Sequence, residues 1–183
     1  PFFSTVCLAT PALLTGPDSA PSREWLPAIA EGRATAALVC DAHVPARAAT
    51  ITARAVAGGV VLAGEAALVL DAHAADLLVV AAGDASGETS LWAVPAAAKG
   101  VERRVLPTMD ATRRFAKVVL RDVAVTGAEC IAEPGGAGLN RTLDLACVAL
   151  AAEQVGGAQR CLDLSVEYAK QRVQFGRPIG GFQ

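Results

Sequence analysis

The side chains that could do chemistry lie near the end of this 183-residue chain, with Arg172 the first to stand out. They follow a long segment in which apolar or small residues recur at Leu143, Cys147, Leu150, Ala151, Val155, Ala158, Leu162, Val166, Ala169 and Val173. Intervals of three and four put those residues on one face of a helix. Glu153, Arg160, Asp163, Glu167 and Lys170 fall on the opposite, solvated face. Gly176 supplies a C-terminal stop, and Pro178 forbids continuation. At about 100° per residue, Arg172 lies in the apolar sector. Two readings stay open. One is a cation in the last turn, favoured by the helix dipole and reaching out to water. The other is an arginine held inward to meet an anion such as a phosphate. Gln174 and Phe175 follow as the helix ends, so they can turn toward the same ligand.

Other candidate groups carry less. Asp41-Ala42-His43 and Asp71-Ala72-His73 repeat one pattern. Two His and two Asp could ligate a metal, but the spacing fits no zinc motif, and turn formation is the better reading. Thr112-Arg113-Arg114 reads as a polar strand edge or as a basic contact for phosphates. No G-x-S-x-G elbow is present, so a serine hydrolase has no support. The glycine-rich run 133–140 lacks both G-x-G-x-x-G spacing and a parallel βαβ unit, so it reads as a linker. The five cysteines are scattered and form no C-x-x-C, which argues against a disulfide framework or a zinc cluster.

The elements that must position these groups can be read from pattern. Hydrophobic residues make up 53% of the chain, enough for a globular core, although alanine inflates the figure and aromatics are only 4%. A net charge of −2 provides no basic field, which excludes nucleic acid and a polybasic membrane contact as natural partners. The apolar opening lacks a basic n-region and is interrupted by Pro11, so neither a signal peptide nor a membrane span is expected. A reducing cytoplasm is the default.

Residues 1–34 read as helical, broken at Pro11 and around 15–22. Ser22 caps a short helix carrying Trp25, Leu26 and Ile29, which ends at Gly32. A chain opening at Pro1 without methionine reads as a fragment. From Thr35 the pattern shifts to short β-rich runs at 35–40, 51–56, 60–63, 77–81, 90–94, 101–106 and 114–120. Gly58-Gly59 signals a hairpin, and 83–87 a polar turn. Such strands without intervening helices suggest a closed antiparallel barrel or a sandwich.

The stretch YAKQRVQFGRPIGGFQ, Tyr168 to Gln183, resembles the Y-A-x-x-R-x-Q-F-G-x-P-I-x-x-F-Q signature of the acyl-CoA dehydrogenases. That resemblance implies an α+β fold in which an antiparallel β-barrel middle domain is flanked by helical segments. Residues 1–34 would then end an N-terminal helical domain, 35–131 form the barrel, and 132–183 provide the linker and start of a C-terminal helical domain. It also implies that Arg172, Gln174 and Phe175 reach the pyrophosphate region of an FAD held mainly by a neighbouring subunit. The substrate would be an acyl-CoA, and the assembly a homo- or hetero-oligomer with another family subunit.

The barrel's side of the implied site departs from the family. A T-E-P-x-x-G-S-D loop is replaced by Cys40-Asp41-Ala42-His43-Val44-Pro45-Ala46-Arg47. A second motif, an aromatic residue and a hydroxyl beside the flavin ring, aligns with 64–72, where Leu68 and Leu70 stand instead. Both changes remove stacking or hydrogen-bonding groups. No catalytic base falls within the chain: one family position aligns with Ala146, the other lies beyond Gln183, and Glu153 is on the solvated face. The resemblance therefore implies either a subunit of an FAD-dependent acyl-CoA dehydrogenase, inactive as this fragment alone, or a non-catalytic subunit that completes a partner's FAD site.

Overall fold

The computed structural model describes residues 1–16, 18–40, 50–135 and 137–182. It divides into two compact units, Pro1–Ala146 and Cys147–Gln183.

The first unit opens with a π-helical stretch, Phe3–Ala9, that runs directly into α1 (Thr10–Leu14). Pro11 therefore does not break the helix. In a regular α-helix its ring would clash with the carbonyl four residues back and remove one bond. Here the preceding turns are widened, with the Thr10 N–H donating to Thr5 O five residues earlier. Helix α2 (Ala20–Ala30) is capped by Ser19, whose hydroxyl oxygen accepts from the Ser22 N–H. Ser22 itself lies inside the first turn, buried, and donates to Leu13 O and Gly16 O. Gly32, at a φ of 71°, follows its end as expected.

The strands are β1 (Ala36–Val39), β2 (Ile51–Val56), β3 (Gly59–Leu70), β4 (Leu77–Gly83), β5 (Thr89–Pro95), β6 (Val101–Val105), β7 (Phe115–Val125) and β8 (Cys130–Ala132). They form one sheet in the order β6-β7-β3-β2-β4-β5-β8, with β1 alongside β4. Two features depart from the expected closed antiparallel barrel. The pairing is mixed, since β1 runs parallel to β4 and Thr52 of β2 meets Gly83 of β4 in parallel register. The ladder is also open among the described residues, with β6 and β8 at its two ends. The seam between β2 and β4 rests on one residue pair, because β2 leans away from β4 to complete a long hairpin with β3.

The core follows from the pleat. Strand β4 alternates between two apolar faces and is buried along almost its whole length. Leu78, Val80 and Ala82 join Val39, Ile51, Leu62, Val69, Trp92, Val94, Val118 and Leu120 in one cluster. That cluster draws on β1 to β5 and β7, with Val101 of β6 packed against it, and includes no helix residue among the described residues, so the sheet curls over its own inner face. Leu77, Val79 and Ala81 point the other way, with Leu91 and Ala93, onto Leu13, Trp25 and Ile29 of the N-terminal helices. A fully buried side chain of this kind is worth roughly 1.5–3 kcal/mol.

A single long helix, α3 (Gly138–Gln171), begins in the first unit, where Thr142 and Ala146 are buried. Gly138 is fitted closely there, since a Cβ on it would press on Ala132, Thr15 and Leu91. In the second unit the helix continues from Cys147, and Val148, Val155, Leu162 and Tyr168 are all exposed. Its apolar sector is thus a face without cover among the described residues. No helix among the described residues is long and apolar enough to cross a membrane, and none of the five cysteines is in a disulfide.

Candidate functional site

Two places hold the residues singled out by sequence. The first is the end of β3. Pairing with β7 slips between Ala66 and Val69, which leaves Ala67 and Leu68 in a β-bulge, both pointing outward. A bulge re-aims side chains at a sheet edge, and here it turns Leu68 out to be half exposed. Leu70 pairs with Phe115 and ends the strand. Asp71 then takes a φ of 54° and opens a turn in which the Ala74 N–H donates to Asp71 O at 3.0 Å. A second slip, between Leu62 and Gly64, lies further up the same strand pair. Gly64 has a φ of 138°, and a Cβ there would collide with the Thr50 carbonyl across the ladder. Of the two Asp-Ala-His tracts, Asp71–His73 is this turn, and no metal-holding cluster occurs among the described residues. Asp41–His43, with the rest of the 41–47 loop, lies outside the described residues.

The second place is the end of α3. The helix stops at Gln171, five residues before Gly176, and Arg172 is the first residue beyond it, its N–H still donating to Tyr168 O at 2.8 Å. A small hairpin of β9 (Val173–Gln174) and β10 (Arg177–Pro178) follows. Phe175 and Gly176 form its loop, at φ of 49° and 79°. Two successive residues of positive φ make the turn type that matches strand twist. Glycine adopts it freely, whereas a phenylalanine there stores roughly 1–3 kcal/mol of strain. The ring it carries is 94% exposed and meets Phe182 edge-on at 6.3 Å between centroids. Arg177 stacks its guanidinium 4.0 Å over the Phe182 ring. The Ile179 N–H donates to Arg172 O and ties the hairpin back to the helix end.

The structure thus brings Arg172, Gln174 and Phe175 together on one hairpin, all exposed. The side chains of Arg172 and Gln174 make no hydrogen bond or ion pair among the described residues. The helix ends before Arg172, and nothing among the described residues of its own unit covers it. An unpaired guanidinium, a free carboxamide and a ring in a strained turn fit one end of a large phosphate-bearing cofactor such as FAD. The β3 end does not fit its share of that group, since Leu68 offers no ring to stack and Leu70 no hydroxyl to donate. Ala146 and Glu153 are both on α3, the first buried and the second exposed. The Thr112-Arg113-Arg114 tract forms a loop end: Asp110 accepts from the Thr112 N–H and hydroxyl, and Arg113 lies over Phe3.

An open cavity of about 700 Å³ was not anticipated by the motifs. It lies where β2 parts from β4 and β5, lined by Ala53, Val60, Ser90 and Trp92 and rimmed by Asp84 and Glu133. Trp92 Nε1 donates to Ser90 Oγ at 2.7 Å. The Ser86 hydroxyl, helped by backbone N–H groups, holds Asp84 below the usual carboxylate range, so that rim is anionic. The signal was the polar turn beginning at Gly83, which the sequence marks but does not connect with β2.

In chain order the elements run from helices through a mixed β-sheet to a long helix that ends in a hairpin, an α+β class of fold. The family model described as "Acyl-CoA dehydrogenase, C-terminal domain" matches residues 135–183. Acyl-CoA dehydrogenase IpdE2 of Mycobacterium tuberculosis is 44% identical over 115 residues, 63% of this chain and 30% of that protein. Among solved structures, the Tcur3481-Tcur3483 steroid ACAD superposes with a TM-score of 0.83 at 31% identity, covering 100% of this chain and 48% of that one. The ChsE4-ChsE5 complex from Mycobacterium tuberculosis gives 0.86 at 26%, covering 100% and 49%. This chain belongs to the acyl-CoA dehydrogenase family. It spans about half the length of those solved relatives, and its match takes in under a third of IpdE2.

Proposed function

We propose that this chain is part of an FAD-dependent acyl-CoA dehydrogenase, which converts an acyl-CoA to its 2,3-enoyl thioester within an oligomer of family subunits. In this reading, 1–34 ends an N-terminal helical domain, 35–131 is the middle β domain, and 132–183 leads into a C-terminal helical domain. The observation that carries it is the hairpin after α3. Phe175 is kept in a strained, outward conformation beside the unpaired Arg172 and Gln174, and strain of that kind persists where it serves a ligand.

FAD, when bound, accepts the hydride. This chain's contribution is to hold it. Arg172 would donate charge-assisted hydrogen bonds to a pyrophosphate, Gln174 would add a donor, and Phe175 would cover an apolar part of the group. Ala146, at one of the positions where the family resemblance puts a base, cannot remove the proton beside the thioester carbonyl. The names of the relatives support an assembly of unlike subunits, one being a ChsE4-ChsE5 complex.

A second reading, a non-catalytic subunit that completes a partner's FAD site, is favoured by Leu68 and Leu70 at the β3 end. The visible spectrum of the full-length subunit, purified alone and then with its partner, tests both. Weak flavin absorbance alone and stoichiometric absorbance in the assembly is the expected result. Bleaching of that absorbance by an acyl-CoA supports a dehydrogenase, and no bleaching supports the structural role. Stoichiometric FAD on the subunit alone contradicts the shared site.

A further inference from the structure

Strand β6 stands at one end of the ladder, and β7 is its only neighbour among the described residues. Its register with β7 sets which way its backbone faces. The Arg121 N–H donates to Gly100 O, and the Leu106 N–H donates to Phe115 O. Antiparallel pairs alternate between bonded and non-bonded, so Gly100, Glu102, Arg104 and Leu106 turn their backbone groups to β7. Val101, Arg103 and Val105 turn theirs to the open edge. Of these, the Val101 N–H is used within the chain, donating to Ala98 O at 3.1 Å.

The side chains alternate too. Val101 packs against the inner core, and Arg103 lies opposite the buried Val118. Arg103 Nη1 donates to Ala75 O at 2.7 Å and to Ala72 O at 2.9 Å. The same turn takes the Ser4 hydroxyl on the Asp71 carboxylate and the Thr35 hydroxyl on Ala74 O. The charge of Arg103 is thus engaged within the chain. Glu102 and Arg104 stand on the other, exposed face. Glu102 accepts from Arg121 at 2.7 Å. Arg104 has no hydrogen bond or ion pair among the described residues, and the residue across from it is another cation, Lys117.

Charged residues ordinarily keep an edge strand solitary. The order of charges here does the opposite under two-fold symmetry. Laid antiparallel against itself about Arg103, the run Val101-Glu102-Arg103-Arg104-Val105 sets Val101 opposite Val105 of the second copy and Glu102 opposite Arg104. We propose that the open edge of β6 is an interface between two copies of this chain, paired in that register. The backbone suits it, because the three outward-facing residues meet only one another. Two Arg103 N–H groups cross the axis to Arg103 O, and the Val105 N–H of each copy meets Val101 O of the other. Glu102 and Arg104 fall at non-bonded pairs, where side chains come closest. A carboxylate accepts several donors, so Glu102 keeps Arg121 and takes Arg104 as well. Arg104 gains the acceptor it lacks, and the half-exposed Val105 is covered by Val101. This pairing requires neither flavin nor substrate.

The test co-expresses two differently tagged full-length variants, Glu102→Cys and Arg104→Cys. In this register the two cysteines face each other with Cα atoms about 4.5 Å apart, within disulfide reach. The remaining Arg104 and Glu102 still pair. A disulfide-linked dimer carrying both tags is expected, at least about tenfold above the yield from either variant alone, whose cysteines sit two residues out of register. The exposed Cys147 and Cys161 are present in every sample and set the background. Charge reversal gives a second readout. Amide exchange at Arg103 and Val105 should slow as wild-type concentration rises. Arg104→Glu should remove that dependence, and Glu102→Arg with Arg104→Glu should restore it. No linked dimer, or equal yields in the single-variant controls, overturns the proposal. So does exchange at Arg103 and Val105 that ignores both concentration and charge reversal, which leaves β6 a solitary charged edge.

Discussion

The end of β3 and the hairpin after α3 make opposite bargains between support and chemistry. The β3 end is held by a core of fully buried side chains and by donors from three neighbouring elements, yet it presents two leucines. The hairpin presents an arginine, a glutamine and a phenylalanine, yet its unit buries almost nothing of its own. Under the proposed function, the scaffold of the β3 end is intact although the groups that would touch a ligand are absent from it. Core packing and ligand contact are separate demands on the chain, and here they are met in separate places.

The largest expected effect sharpens the contrast in support. Leu78 is fully buried in the inner cluster of the sheet, so Leu78→Ala should cost about 2–5 kcal/mol. Leu162 is 57% exposed on α3, and Leu162→Ala should change the stability of this chain by under about 0.5 kcal/mol. Denaturant melts of the two variants check this, and equal losses would break the comparison.

The next effect concerns the chemistry. Replacing both Leu68→Trp and Leu70→Thr returns a ring and a hydroxyl to an end of β3 whose bulge is already formed. A ring contact and one hydrogen bond together suggest roughly tenfold tighter FAD binding by the full-length protein. Isothermal titration reads it directly. Unchanged affinity would mean that the β3 end lies away from the flavin.

A smaller effect comes from Cys130, on the end strand β8. Burial, first, and the nearby Glu133 push its thiol up to about 11 from an ordinary 9.0. The folded form therefore keeps a proton that the unfolded chain gives up. Its contribution to stability is complete below about pH 9 and falls away between about 9 and 11. Cys130→Ala should flatten that part of the stability profile. An unchanged slope in thermal melts across this range would place the loss on other groups.

Much of the β scaffold was legible because its signals are local. Strand β2 begins and ends where alternation and Gly58 place it, and β4 stands out as an unbroken apolar run. Strand β3 was read too short, because the bulge at Ala67-Leu68 breaks the alternation that would have carried it to Leu70. Strand β8 is three residues long and forms only by pairing with β5. The cap of α2 is Ser19 rather than Ser22, a choice between two serines that Ser22's buried bonds to Leu13 O and Gly16 O decide. The hairpin at 173–178 was hidden because Val173 continues the helical spacing. Only the positive φ at Phe175, invisible in a residue type that avoids it, reveals the turn. Arg103 carried no signal at all, since its partners are carbonyls some thirty residues earlier in the chain.

The central claim is that the hairpin after α3, rather than the β3 end, carries this chain's contact with FAD. It is tested most directly by titrating FAD into apo-assemblies of full-length Arg172→Ala and Lys170→Ala. Arg172 leaves the helix end unpaired beside Gln174 and Phe175, whereas Lys170 lies on the charged face of α3. Losing one charge-assisted contact is worth roughly 1.5–3 kcal/mol, so Arg172→Ala should bind FAD at least about tenfold more weakly than Lys170→Ala. Equal affinities for the two variants would contradict the account and leave Arg172 a surface cation at a helix end.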